Sequence, residues 1–123
     1  MKRSLNRYLY AIRSLKKKRD YVCAADVARH LGVKPPSVCA ALRQLKDQDF
    51  ITRDPDGNLS FSSAGTVYAD RLHERVIFFR QLLAKLGVDS DAAEDDALAF
   101  SWDISDSSYE AFRDFFRFGT ASK

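Results

Sequence analysis

Lys34, Ser37, Arg43 and Gln44 put an ammonium, a hydroxyl, a guanidinium and a carboxamide at helical spacing, with Pro36 and Ala40 between them. Groups three or four positions apart share one helix face, where they can meet phosphates and base edges together. Arg53 supplies one more cation further along. This is the chemistry of an element laid into a DNA groove. Few of these side chains can make bidentate base contacts, so shape readout and apolar contact with thymine methyls are expected to carry much of the specificity.

Other reactive residue types form no constellation. His73 and Glu74 are neighbours and would point apart on a helix, while His30 is expected to be exposed or near a DNA phosphate. The acidic residues from Asp89 to Asp96 read as helix capping, not a calcium loop. Cys23 and Cys39 lack a CxxC spacing and read as buried or half-buried thiols. No Ser/His/Asp, Cys/His or glycine-rich phosphate-binding arrangement is present, so the sequence does not describe an enzyme.

The elements that must position the contact residues follow from periodicity. Val27, Ala28 and Leu31 share one face of a short helix, Gly32 supplies a turn, and Val38, Ala41, Leu42 and Leu45 repeat along a second helix. Pro35 and Pro36 suit only its first turn, where a missing N–H costs nothing. Opposite the core lie Ser37, Cys39, Ala40, Arg43, Gln44 and Lys46. Phe50 to Arg53 and Leu59 to Phe61 flank Asp56-Gly57, a hairpin signal. The order is a winged helix-turn-helix.

Before it, Ser4 is placed to cap a helix with the stripe Leu5, Tyr8, Leu9, Ile12 and Leu15, ending near Asp20. After it, Ser62 or Ser63 caps a long helix striped by Tyr68, Leu72, Val76, Phe79, Leu83 and Leu86, widened by Val67, Phe78 and Leu82 and closed by Gly87. Asp91 and Glu94 have capping-box spacing for a helix to Trp102, and Ser105 or Ser107 starts a last helix carrying Tyr109, Phe112, Phe115 and Phe116. The expected fold is mainly α, with a winged helix-turn-helix DNA-binding domain at 1–62 and a helical dimerisation domain at 63–123.

The 123 residues carry a net charge of +3, unevenly spread. Residues 1–53 hold 13 Lys/Arg against 4 Asp/Glu, and residues 54–123 hold 7 against 13. The front half is therefore built to meet a polyanion. No apolar run is long enough to cross a membrane and no signal-peptide pattern opens the chain, which implies a cytoplasmic protein. The aromatics of the last helices exceed what two short helices bury, which suggests a homodimer interface.

The blocks Tyr8-Leu9 with Ala11-Ile12, DVARHLGVKPPSVCAALRQLKDQDFI at 26–51, Ser62 to Gly65, Leu86 to Asp89 and Ile104 to Asp106 occur in an order that resembles the DtxR/MntR iron- and manganese-dependent repressors. That resemblance implies a homodimer on operator DNA, switched on by Mn2+ or Fe2+ held between the first, long and fifth helices, in a short form without the SH3-like domain. The family's metal positions fall on Arg7, Tyr10, Val76, Arg80, Glu94, Leu98, Ser101 and Trp102. Only Glu94 keeps a ligand-type carboxylate there, so no cofactor is expected and the site reads as lost. Arg80 and Glu94 are expected to pair in the metal's place. The implied function is metal-independent transcriptional regulation. The alternative is an adaptor or heterodimer subunit that senses a ligand or partner and binds DNA secondarily.

Overall fold

The computed structural model describes residues 3–119, and the side chains of residues 5–117. Its elements are α1 (Arg3–Lys18), α2 (Ala24–Leu31), α3 (Pro35–Asp47), β1 (Ile51–Arg53), β2 (Leu59–Phe61), α4 (Ser63–Lys85), α5 (Ser90–Asp103) and α6 (Asp106–Asp114), followed by a π-helical turn at Phe115–Gly119. The chain packs as two compact units, Met1–Arg71 and Leu72–Lys123. Their division falls inside α4.

In the first unit, Leu5, Leu9, Ile12 and Leu15 of α1 are buried as the stripe requires, together with Val27 of α2 and Val38, Ala41, Leu42 and Leu45 of α3. Tyr8 is only half-buried, and the cap expected at Ser4 lies outside the described side chains. Asn6 is fully buried, and neither atom of its side-chain amide has a hydrogen-bond partner among the described residues. Helix α2 stops where Gly32 takes φ 67° and Val33 N–H donates to the Ala28 carbonyl at 3.1 Å. That left-handed closure costs glycine nothing. Helix α3 ends the same way on Asp49 at φ 60°, with Asp49 N–H to Lys46 O and Phe50 N–H to Leu45 O, each 3.0 Å.

β1 and β2 pair antiparallel with Ile51 opposite Phe61 and Arg53 opposite Leu59. Gly57 turns the hairpin at φ 91°. This two-stranded wing beside the three helices completes the winged helix fold. Helix α4 then starts on a capped turn: Ser62 Oγ accepts from Gly65 N–H at 2.9 Å, and Ser62 N–H donates to the Phe50 carbonyl at 3.0 Å. Of the two serines that could cap α4, Ser62 does so.

In the second unit, Leu72, Val76 and Phe79 of α4 are buried with Ala93, Ala97 and Ser101 of α5 and Tyr109 of α6. The Phe79 ring stacks on Phe100 at 5.2 Å and meets Phe112 edge-on at 5.8 Å. Two expectations need correction, and one alternative is decided. Leu86 and Val67 are exposed, since Leu86 lies beyond the last turn of α4 and Val67 faces outward. Helix α5 starts at Ser90 behind Asp89, so Asp91 is already helical and cannot form a capping box with Glu94. Helix α6 is capped by Ser105, whose Oγ accepts from Ser108 N–H at 3.2 Å, which leaves Ser107 inside the helix.

Arg75 ties this unit together. Its guanidinium donates to the carbonyls of Ile104 at 3.1 Å and Ser101 at 3.5 Å, pairs with the Asp106 carboxylate, and lies 4.6 Å from the Tyr109 ring centroid. One side chain thus satisfies the end of α5 and the start of α6. Burial pushes the Tyr109 hydroxyl above its ordinary pKa.

Candidate nucleic-acid interface and the substituted metal positions

Helix α3 is aimed by what holds α2. Cys23 N–H donates to Asp26 Oδ2 at 2.9 Å, closing the first turn of α2 from inside, and Arg29 Nη2 lies 2.5 Å from Asp26 Oδ1. Asp26 is buried, and the Cys23 amide, assisted by Arg19 and Arg29, holds its carboxyl below the usual carboxylate range. A lowered folded-state pKa contributes stability above the unfolded value of about 4, and loses it as pH falls through the folded value. Asp26→Asn is therefore expected to cost about 1 kcal/mol at neutral pH. The deficit should shrink toward pH 3, which paired thermal melts of the variant and the parent protein would read. Asp26 was not singled out from the sequence, although its position three residues after the helix-opening Cys23 is the N-terminal box spacing.

With α2 fixed, the two prolines occupy the first turn of α3 and Lys34 is its N-cap. Lys34, Pro36, Ser37, Ala40, Arg43 and Gln44 are all exposed, so the structure brings the candidate contact residues onto one open helical face. Arg53 is exposed at the end of β1. His30 is exposed near the end of α2. Cys39, expected to be at least half-buried, is exposed, because the buried stripe of α3 runs through Val38, Ala41, Leu42 and Leu45 and leaves Cys39 on its flank; Cys23 is half-buried.

The wing is clasped by the segment linking α1 to α2, a feature that periodicity did not reveal. Leu59 N–H donates to the Val22 carbonyl at 2.8 Å, and Val22 N–H donates to Asn58 Oδ1 at 3.1 Å. Lys16 Nζ reaches the same Asn58 oxygen at 3.2 Å, and the Tyr21 hydroxyl donates to the Asp56 carbonyl at 2.5 Å. Wing and helices are thereby held as one piece.

Among the positions tied by resemblance to metal binding, Arg7 is exposed and Tyr10 half-buried on α1. In the second unit Val76 and Ser101 are buried, while Arg80, Glu94, Leu98 and Trp102 are half-buried. Arg80 Nη1 donates to Glu94 Oε2 at 2.9 Å, joining α4 to α5 by an ion pair. Ser101 Oγ donates to Ala97 O at 2.6 Å. One carboxylate already engaged by a guanidinium, beside aliphatic and indole groups, does not fit a divalent transition-metal ion, which needs several converging anionic or imidazole donors. Among the described residues no group of three or more His, Cys, Asp or Glu converges.

Residues 1–59 match the family described as iron dependent repressor, N-terminal DNA binding domain. The transcriptional regulators MntR of Escherichia coli O6:H1 and Escherichia coli O157:H7 are each 30% identical over 88 residues, covering 72% of this chain and 57% of theirs. The chain spans little more than half the length of these relatives. Among solved structures, the manganese regulator SloR superposes with a TM-score of 0.81 at 19% identity, covering 93% of this chain and 54% of that one. IdeR of T. acidophilum gives 0.72 at 22% identity, covering 93% and 53%. The hypothetical protein SSo2273 of Sulfolobus solfataricus gives 0.69 at 17% identity, covering 95% and 90%. At these identities the structural likeness is one of fold, and the sequence match rests on the N-terminal module. Through its first 59 residues the chain is similar to the iron-dependent repressors, a likeness that extends over 88 residues to the MntR transcriptional regulators.

Proposed function

We propose that this protein is a transcriptional regulator that binds operator DNA as a homodimer without needing a metal ion. Residues 1–62 read the duplex and residues 63–123 dimerise. Lys34, Pro36, Ser37, Ala40, Arg43 and Gln44 enter the major groove while Arg53 meets the backbone. The observation that carries metal independence is the Arg80–Glu94 pair, which links α4 to α5 through side chains alone. The apolar burial of Val76 beside it removes a polar cavity a cation would need. The open groove of about 370 Å3 lined by Ser108, Ala111, Phe112, Phe115 and Phe116 supports a dimer, because an apolar surface of this kind is ordinarily covered.

Selection of bound fragments from a random duplex pool tests the reading. The winning site should then bind equally in chelator and in manganese, with affinity falling steeply as salt rises. Binding that requires manganese would overturn metal independence. Failure to enrich any sequence would favour the adaptor reading, in which the same aromatic groove receives a different protein.

A further inference from the structure

A second recess lies in the first unit, and none of its lining residues belongs to α3. It is a cleft of about 270 Å3 between α1, β2 and the first turns of α4, lined by Arg13, Lys16, Lys17, Phe61, Thr66 and Asp70. Its charge is unbalanced: three cations face one carboxylate. Arg13 uses Nε on Asp70 at 2.9 Å, leaving its two terminal nitrogens without a partner among the described residues. Lys16 donates only to neutral oxygens, the Asp20 carbonyl at 2.5 Å and Asn58 Oδ1 at 3.2 Å. Lys17 is exposed and unpaired among the described residues. The lining is also in part apolar, with the half-buried Phe61 and the buried Ala69. An apolar slot with convergent unspent donors at its mouth is the form of a small-molecule site. A DNA backbone, which carries its charge on its outside, has no use for the aromatic wall.

We propose that this cleft binds a small aromatic carboxylate, its ring against Phe61 and its carboxylate between Arg13 and Lys17. Lys16 gives the site a connection to the wing. The Asn58 oxygen it contacts also accepts the Val22 amide that clasps the wing. A bound carboxylate competes for Lys16, draws it from Asn58 and loosens that clasp.

The test needs no DNA, so its outcome is independent of the proposed regulatory role. Benzoate is titrated into the 15N-labelled full chain, with inorganic phosphate and sodium chloride titrated in parallel. Saturable shifts are expected at Lys16, Lys17, Phe61 and Thr66, with a secondary response at Val22 and Asn58. Lys17→Met should weaken benzoate binding by about fivefold, the effect of removing one exposed charge partner. Asp70→Asn should act oppositely, tightening it by a similar factor, since it frees Arg13 and removes the one repelling carboxylate. A merely structural role for these residues predicts no such opposed pair. Shifts that fail to saturate, that track chloride, or that phosphate reproduces equally would overturn the proposal, as would equal affinity in both variants.

Discussion

Replacing Gly65 by alanine is expected to lower the melting temperature of the first unit by more than about 10 °C, against what helix propensity alone would say. Glycine inside a helix is worse than alanine by about 1 kcal/mol, so an isolated α4 would gain from the change. The packing decides otherwise. A Cβ built on Gly65 overlaps the Phe50 carbonyl, lying 2.7 Å from its carbon. The atoms it meets are backbone, and they are pinned: Phe50 N–H is bonded to Leu45 O, and Phe50 O receives both Ser62 N–H and, at 3.2 Å, Ser62 Oγ. Overpacking against a fixed backbone costs about 3 kcal/mol, the upper part of the usual range. For a unit of this size that corresponds to the stated drop. Thermal unfolding of Gly65→Ala beside the exposed neighbour Ala64→Ser measures it. A variant melting within a few degrees of the parent would show that α4 can rise off Phe50 at little cost.

Arg75→Met should destabilise the second unit by about 3 kcal/mol, and Arg75→Lys should recover little of it. Methionine keeps much of the stem volume but leaves the Ser101 and Ile104 carbonyls without their donor. A buried acceptor left unpaired costs about 1–3 kcal/mol, and these two, being partly buried, together account for about 2 kcal/mol. The face of Tyr109 also loses its cation, worth about 1 kcal/mol. Lysine restores the charge but cannot reach two carbonyls, a carboxylate and a ring with one ammonium, whereas the planar guanidinium does so at once. Trp102 is the only tryptophan and lies on α5 one residue after Ser101, so its emission during urea unfolding reports this unit directly. Unchanged unfolding in Arg75→Met would mean that water serves those carbonyls as well as the arginine does.

These two residues mark the limit of what the sequence made legible. The helix-turn-helix could be read because its signals are local: Val27, Gly32, Pro35, Pro36 and the stripe from Val38 to Leu45 each state a backbone requirement within a few positions. The Arg80–Glu94 pair was foreseen, but through resemblance and not through spacing. Gly65 reads as a mild helix defect until Phe50, fifteen residues earlier, is seen against it. Arg75 reads as one more surface cation until the end of α5, 29 residues later, folds back to it. Cys39 shows the converse, a residue type usually buried that sits outside because its neighbours Val38 and Leu42 claim the core. The Asp91–Glu94 box failed because Asp89, two residues earlier, opens α5 and because Glu94 turns to Arg80.

Helix α4 gives Ser63–Arg71 to one unit and Leu72–Lys85 to the other with no break in its hydrogen-bonded ladder. The chain accordingly has no scissile joint at which the reader could be lifted out. A fragment ending at residue 62 would discard Gly65 and the turn it completes on Ser62, and one beginning at residue 72 would open on a bare helical end. Transplanting this reader onto another sensor would require carrying Ser63–Arg71 of α4 with it, so the graft point is a helical register and not a linker.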